Sequence, residues 1–190
     1  MVVEQFVMAY GVEQDRLRSL LPEGFVSLRP VLRINAEIRD NKTGYAEFNT
    51  AVEKDAIKGW LNIAHYDNIS FERNGKTVTF KNDVLEISFT GVGITGSCPA
   101  EKDNGGCFFL DRTPELVPAE IIKENKEFCD CRFKWLFNKD SAKGESIGKT
   151  LPAIPEEVKN TYPKLPLTAE NAAAIPCRQV LGTYVVKFER

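Results

Sequence analysis

Two stretches of strict alternation, "VLRINAEI" at residues 31–38 and "GYAEFNTAV" at residues 44–52, constrain the fold of this chain more than any other feature. A β-strand turns successive side chains to opposite faces, so a period of two sorts each stretch into two rows. Leu32, Ile34, Ala36 and Ile38 make one apolar row, with Arg33, Asn35 and Glu37 on the reverse. Ala46, Phe48, Thr50 and Val52 likewise oppose Tyr45, Glu47 and Asn49. The next segment, "GWLNIAHY" at residues 59–66, continues the pattern and groups His65 with Leu61 and Ile63. Three neighbouring strands of this kind predict an antiparallel sheet with one apolar and one polar face.

The rest of the chain reads as further short strands and a few helices. Residues 3–10 alternate weakly, and "VEQDRLRSLLPEGF" places Val12, Leu17, Leu20 and Leu21 at helical spacing before Pro22 and Gly24 end the helix. "ISFER" and "KTVTF" are joined by Asn74-Gly75, the dipeptide expected to supply both positive φ angles of a type I′ turn. "VLEISFTGVGITGS" is a strand loosened by Gly91, Gly93 and Gly96, and "CFFLD" is a short buried one. "TPELVPAEIIKENKEF" (113–128) and "AIPEEVKNTYPKL" (153–165) have helical character, residues 138–151 read as a loop, and "CRQVLGTYVVKFER" closes the chain as a strand. "GESIGKT" ends like a phosphate-binding loop but lacks the first glycine at the required gap. With no repeat or linker, the expectation is one α+β domain over 1–190, a mostly antiparallel sheet or barrel with a few covering helices.

Composition narrows the function classes. Twenty-five Lys and Arg nearly balance 27 Asp and Glu for a net charge of −2, which does not favour a nucleic-acid or membrane surface. No apolar run approaches the ~20 residues of a membrane helix. The start, "MVVEQFVMAYG", has no basic segment ahead of an apolar one. The expectation is a cytoplasmic protein with a small molecule or a protein as partner. Of the five cysteines, Cys129 and Cys131 form C-x-C, a spacing that invites a metal or redox reading. With His65 the only histidine to recruit and no second Cys/His pair, they read as ordinary thiols, and no metal or cofactor is expected.

The order of the pieces carries a resemblance. A strand ending in Tyr10 leads to a helix ending "LRSLLPEGF". Then come "RPVLRINAEI", "GYAEFNTAV" with Tyr45-Ala46-Glu47, and a strand ending in Asp67-Asn68. This resembles the acetoacetate decarboxylase family over residues 6–68, and the closing strand is similar as well. The resemblance implies a conical β-barrel with an interior active site, lyase chemistry on a β-keto acid, and a homo-oligomeric assembly. In that family a buried lysine forms a Schiff base with the substrate, a carbonyl chemistry that needs a depressed lysine pKa. The Tyr-x-Glu glutamate falls on Glu47, and a second family glutamate falls on Asn35, with Glu37 two residues on and on the same face. The family's N-terminal arginine falls near Val3. The paired lysines that should come after Asp67-Asn68 have no counterpart, since the chain passes straight into "ISFERNG"; Lys81 and Lys58 are the nearest in sequence.

Glu47 and Glu37 are the acid/base candidates, and Arg33, whose planar fork suits a carboxylate, is the clamp. Asn35, Tyr45 and His65 complete the set as substrate contacts. Periodicity alone favours the wet face of an open sheet for the polar row and a core role for His65, and it is the family resemblance that turns the row toward a cavity. Asp111-Arg112 reads as a strand-end ion pair. The functional expectations are an enzyme on a small keto acid or related carboxylate working without the family lysine, Schiff-base chemistry on a displaced lysine (Lys81 or Lys58), or a non-catalytic barrel that binds such an acid.

Overall fold

A computed structural model of the chain describes residues 1–97, 103–146 and 159–190. The strands are β1 (Val2–Gly11), β2 (Val26–Arg39), β3 (Thr43–Lys54), β4 (Ile57–Asp67), β5 (Ser70–Asn74) and β6 (Thr77–Lys81). They continue as β7 (Leu85–Gly96), β8 (Gly106–Phe108), β9 (Leu116–Pro118), β10 (Lys126–Trp135), β11 (Lys143–Ser146) and β12 (Gln179–Glu189). The helices are α1 (Gln14–Leu20) and α2 (Ala169–Ala173). All twelve strands join one sheet in the order β5-β6-β7-β10-β12-β1-β2-β3-β4-β8-β9, with β11 paired to β10. Every pairing is antiparallel except that of β4 with β8. The architecture is therefore mostly β. The expected barrel is corrected to an open sheet, because the edge strands β5 and β9 are not paired with each other.

The sheet curls over one shared core. The apolar row Leu32, Ile34, Ala36 and Ile38 is wholly buried and shares one core with Phe80, Ile87, Phe133 and Trp135 from the other half of the sheet. The two halves meet through rings. Phe6 lies 5.3 Å from both Phe80 and Phe89, and Phe48 lies 4.4 Å from Trp135, separations at which aromatic pairs attract beyond their burial. The register shifts in the β1–β12, β2–β3, β3–β4 and β7–β10 ladders provide the bends, since each bulge kinks its strand and steepens the twist. Leu17 and Leu20 of α1 and Ala172 and Ala173 of α2 cover this core. Cys129 and Cys131 are also buried there as free thiols. Among the described residues no group of three or more His, Cys, Asp and Glu is placed to hold a metal ion, and no helix is long and apolar enough to cross a membrane. Cys98 lies outside the described residues.

Local chemistry sets the turns. Asp40 (φ 50°) with Asn41 (φ 54°), and Asp55 (φ 51°) with Ala56 (φ 62°), sit at the tips of the β2–β3 and β3–β4 hairpins. Paired positive angles mark type I′ turns, whose twist matches that of the strands. Asp and Asn tolerate that region, but an alanine there carries its Cβ against the carbonyl oxygen. Ala56→Gly is expected to raise stability by about 0.5–1 kcal/mol, read from urea midpoints at unchanged slope. The β5–β6 turn differs from expectation by one residue. Asn74 pairs with Thr77 as strand, and Gly75 alone takes a positive φ (60°), so glycine occupies the first central position as in a type II′ turn.

The second half departs further from its sequence reading. Residues 113–128 are extended rather than helical, giving β9 and the start of β10, because Pro114 and Pro118 remove backbone donors that a helix needs. The predicted loop 138–151 contains β11, with residues 147–151 outside the described set, as is the end of the "GESIGKT" stretch. Of the helix expected over 153–165, residues 153–158 lie outside the described set and 159–165 are not helical. Its place is taken by α2, capped where Thr168 Oγ1 accepts from the Asn171 N–H at 3.1 Å.

Candidate functional site

The polar face of β1–β4 is not a wet surface. It forms the floor of a cavity of about 700 Å³, roofed by residues 104–107 and 117–122. That volume lies within the usual range for small-molecule sites. The roof is held close by β8, which runs parallel to β4 and antiparallel to β9. At Gly106 (φ 151°) an added Cβ would come within 2.3 Å of the Val117 carbonyl oxygen, so only glycine permits this approach.

Strand register arranges the floor as three cross-strand rows. The middle row runs Tyr184, Val7, Asn35, Glu47, His65; one outer row is Ala9, Arg33, Asn49, Asn62, and the other is Gln5, Glu37, Tyr45, Asp67. Arg33, Asn35, Glu37, Tyr45 and Glu47 all line the cavity. Glu47 Oε1 accepts the Tyr45 hydroxyl at 2.7 Å, and Asn49 Nδ2 donates to Oε2 at 3.3 Å. Asn49 is itself fixed by Asn62, whose Nδ2 donates to Asn49 Oδ1 at 3.0 Å. Burial, then the charge of Glu47 and the hydrogen bond to it, push the Tyr45 hydroxyl far above its ordinary value of 10.0, so it stays protonated and donates.

Unlike Arg39 and Arg190, Arg33 has no ion-pair partner among the described residues. Its guanidinium carbon stands 3.7 Å over the Trp60 ring, and its Nε is buried without a hydrogen-bond partner. Asn35 Oδ1 is likewise buried and unpaired. Glu37 is the reverse case. Only 2% exposed, it receives Arg190 at 2.7 and 3.2 Å, Arg39 Nε at 2.8 Å and Gln5 Nε2 at 3.4 Å. Burial raises the Glu37 carboxyl, but the bonds and charges of Arg190 and Arg39 outweigh it and hold the group below the usual value. Arg190 also grips Glu120 on the roof at 2.8 Å, so this network ties roof to floor.

His65 is corrected in two respects. A bulge at Ile63 inserts one residue between the Phe48–Ala64 and Asn49–Asn62 pairs, which reverses the facing of the strand beyond it. Leu61 therefore points into the core, while His65 shares the face of Glu47. It does not line the cavity wall; its Nε2 lies 2.7 Å from Asp111 Oδ2 and its ring meets Phe109 edge-on at 6.1 Å. Asp111 thus pairs with His65 rather than with Arg112 as expected, and the bond from His65 lowers the Asp111 pKa. This clasp sets the roof segment that carries Arg112. Arg112 lines the cavity, stacks over Phe109 at 3.8 Å and reaches the Tyr45 hydroxyl at 3.5 Å.

Arg112, Arg190 and Cys107 were not legible as site residues. Their only sequence signal is position just after a buried aromatic strand, at the end of a strand, or within "CFFL". The Cys107 thiol is pushed up to about 12, chiefly by burial and by Glu47, with Arg33 and Arg112 opposing. It is a neutral thiol that senses both arginines and the glutamate at once. Lys58 and Lys81 are exposed and paired with Asp103 (3.6 Å) and Glu86 (3.1 Å), away from the cavity. The lysine that does line it is Lys126, 4.7 Å from the Tyr184 ring.

No protein-family model matches the sequence, and no curated protein matches it. Solved structures do match its fold. The acetoacetate decarboxylase of Legionella pneumophila superposes at TM-score 0.56 with 12% identity, over 98% of this chain and 81% of that one. An acetoacetate decarboxylase-like enzyme from Sphingomonas wittichii gives 0.52 at 11% identity, over 98% and 87%. The enduracididine biosynthesis enzyme MppR, bound to the condensation product of pyruvate and imidazole carboxaldehyde, gives 0.53 at 12% identity, over 98% and 83%. The chain has the acetoacetate decarboxylase-like fold.

Proposed function

We propose that the protein binds a small keto acid in this cavity and performs acid/base chemistry on it, with Glu47 as the proton-transfer group. The observation that carries the reading is the convergence of an arginine without a counter-ion, Arg33, and a half-buried carboxylate, Glu47, on one cavity. Arg33 takes the substrate carboxylate through its planar fork. Asn35, with its amide oxygen unpaired, is placed to bond a hydroxyl or enol. Glu47, held on both oxygens by Tyr45 and Asn49, stands between them in register to move a proton at the carbon beside the carbonyl. Glu37 is a structural anchor in this reading, since Arg39 and Arg190 occupy its oxygens. His65 positions the roof. The fold neighbour captured with a pyruvate condensation product supports a keto acid as the ligand class.

Arg33→Gln is expected to weaken binding of α-ketovalerate about 10- to 100-fold by titration calorimetry, the value of a charge-assisted bond. Unchanged affinity would remove Arg33 from the site. A second reading, Schiff-base chemistry, rests on Lys126 being the lysine on the cavity wall. Borohydride treatment in the presence of acetoacetate separates the two: a mass increment on Lys126 supports the imine, and an unmodified Lys126 supports chemistry through Glu47.

A further inference from the structure

The cavity's charges do not balance, and the imbalance specifies the ligand more closely. Five cationic and three anionic side chains line it among the described residues. Arg39 and Arg190 are matched by Glu37 and Glu120. Arg33, Arg112 and Lys126 then face Glu47 alone, leaving two positive charges without a partner. Near Arg33 the excess is larger still. The Arg29 guanidinium lies 5.4 Å from the same Trp60 ring, and its Nε and Nη2 are buried without hydrogen-bond partners. Two guanidiniums beside one ring repel each other at low local dielectric unless an anion joins them. Buried donors without partners are uncommon, and here they gather around Trp60, which with Arg33 lines the cavity while Arg29 stands behind.

The second positive centre is at the opposite end. Arg33 lies in one outer row of the floor, opposite Asn49, while Arg112 reaches the other outer row through Tyr45. Four residues of strand separate those rows, roughly 13 Å of backbone, with Glu47 in the row between. Both arginines line the cavity together with Glu47. A ligand anchored at both ends would lie across the Glu47 carboxylate.

We infer that the cavity selects a short dicarboxylate, one carboxylate on Arg33 with Arg29 behind it and the other on Arg112. This deepens the keto-acid reading and rests on it. A dianion also offsets the two uncompensated charges, which a monoacid leaves half unmet. Arg112 thereby becomes the residue that sets specificity, and the His65–Asp111 clasp the device that positions it.

The test compares α-ketoglutarate with α-ketovalerate, equal in chain length and differing in the terminal carboxylate. Calorimetry on the unaltered protein is expected to show at least a tenfold preference for α-ketoglutarate. Arg112→Gln, at an exposed roof position, is expected to abolish that preference, bringing the ratio of the two affinities to within about threefold. Arg33→Gln is expected to weaken both. Equal affinity of the unaltered protein for the two acids would overturn the dicarboxylate inference and leave the keto-acid reading standing. A preference that survives Arg112→Gln would overturn the assignment of Arg112. Binding of neither acid would overturn both readings.

Discussion

Glu47→Gln is expected to lower turnover of a keto-acid substrate by about 10²–10⁴-fold, the usual contribution of a positioned proton-transfer group, while the dissociation constant changes by less than about threefold. The substitution is nearly isosteric, and the new amide oxygen can still accept the Tyr45 hydroxyl now bonded at 2.7 Å. What disappears is the basic oxygen in the middle row of the floor. Steady-state rates, calorimetric affinity and a thermal melt on the same preparations resolve the three cases. Loss of rate with retained affinity and fold supports the acid/base role. Retained rate removes Glu47 from the chemistry. An unaltered protein that binds keto acids but turns none over is a binding protein, and the enzyme reading then fails.

Glu37→Leu is expected to destabilise the fold by about 3 kcal/mol at neutral pH, since it leaves two guanidiniums without their shared buried carboxylate. Arg190 is about one-third exposed, so water softens the loss and the lower end of the usual range applies. The same carboxylate makes stability depend on pH. Its folded pKa is lowered from 4.5, so the unfolded chain takes up the proton first as pH falls. The stabilisation is complete above the unfolded pKa and disappears as pH drops through the folded one. Urea midpoints of the unaltered protein should therefore fall steeply below about pH 4.5, and those of the leucine variant less steeply. Equal slopes would show that the Arg39–Glu37–Arg190 network contributes no linked stability.

Much of the floor was readable because strand periodicity is a local property. Ile34 and Asn35 must face opposite ways whatever they meet, so the rows Arg33-Asn35-Glu37 and Tyr45-Glu47-Asn49 could be assigned from spacing alone. Two kinds of error arose, one partly local and one set by strand pairing. Residues 113–128 have helix-forming composition, but their prolines and their pairing with β8 make them a roof strand and a covering segment. His65 was placed with Leu61 because a period of two assumes an unbroken ladder, and the bulge at Ile63 breaks it. The bulge has no signature within the few residues concerned, whereas Pro114 and Pro118 are a local signal against a helix.

The chain's own alternation, with the order of its strands, was enough to specify an antiparallel sheet, its two faces, and Arg33, Asn35, Tyr45 and Glu47 as one polar group. Whether that group faced open solvent or lined a cavity depended on what covered it, and residues 104–122, distant in sequence, supply the cover. The same cover brings Arg112 to Tyr45 and ties Glu120 to Arg190, so the charge pattern of the cavity exists only after folding. Sheet closure was decided in the same way. Phe6, Phe80 and Trp135 from distant parts of the chain pack into one core, and the edge strands β5 and β9 stay unpaired with each other.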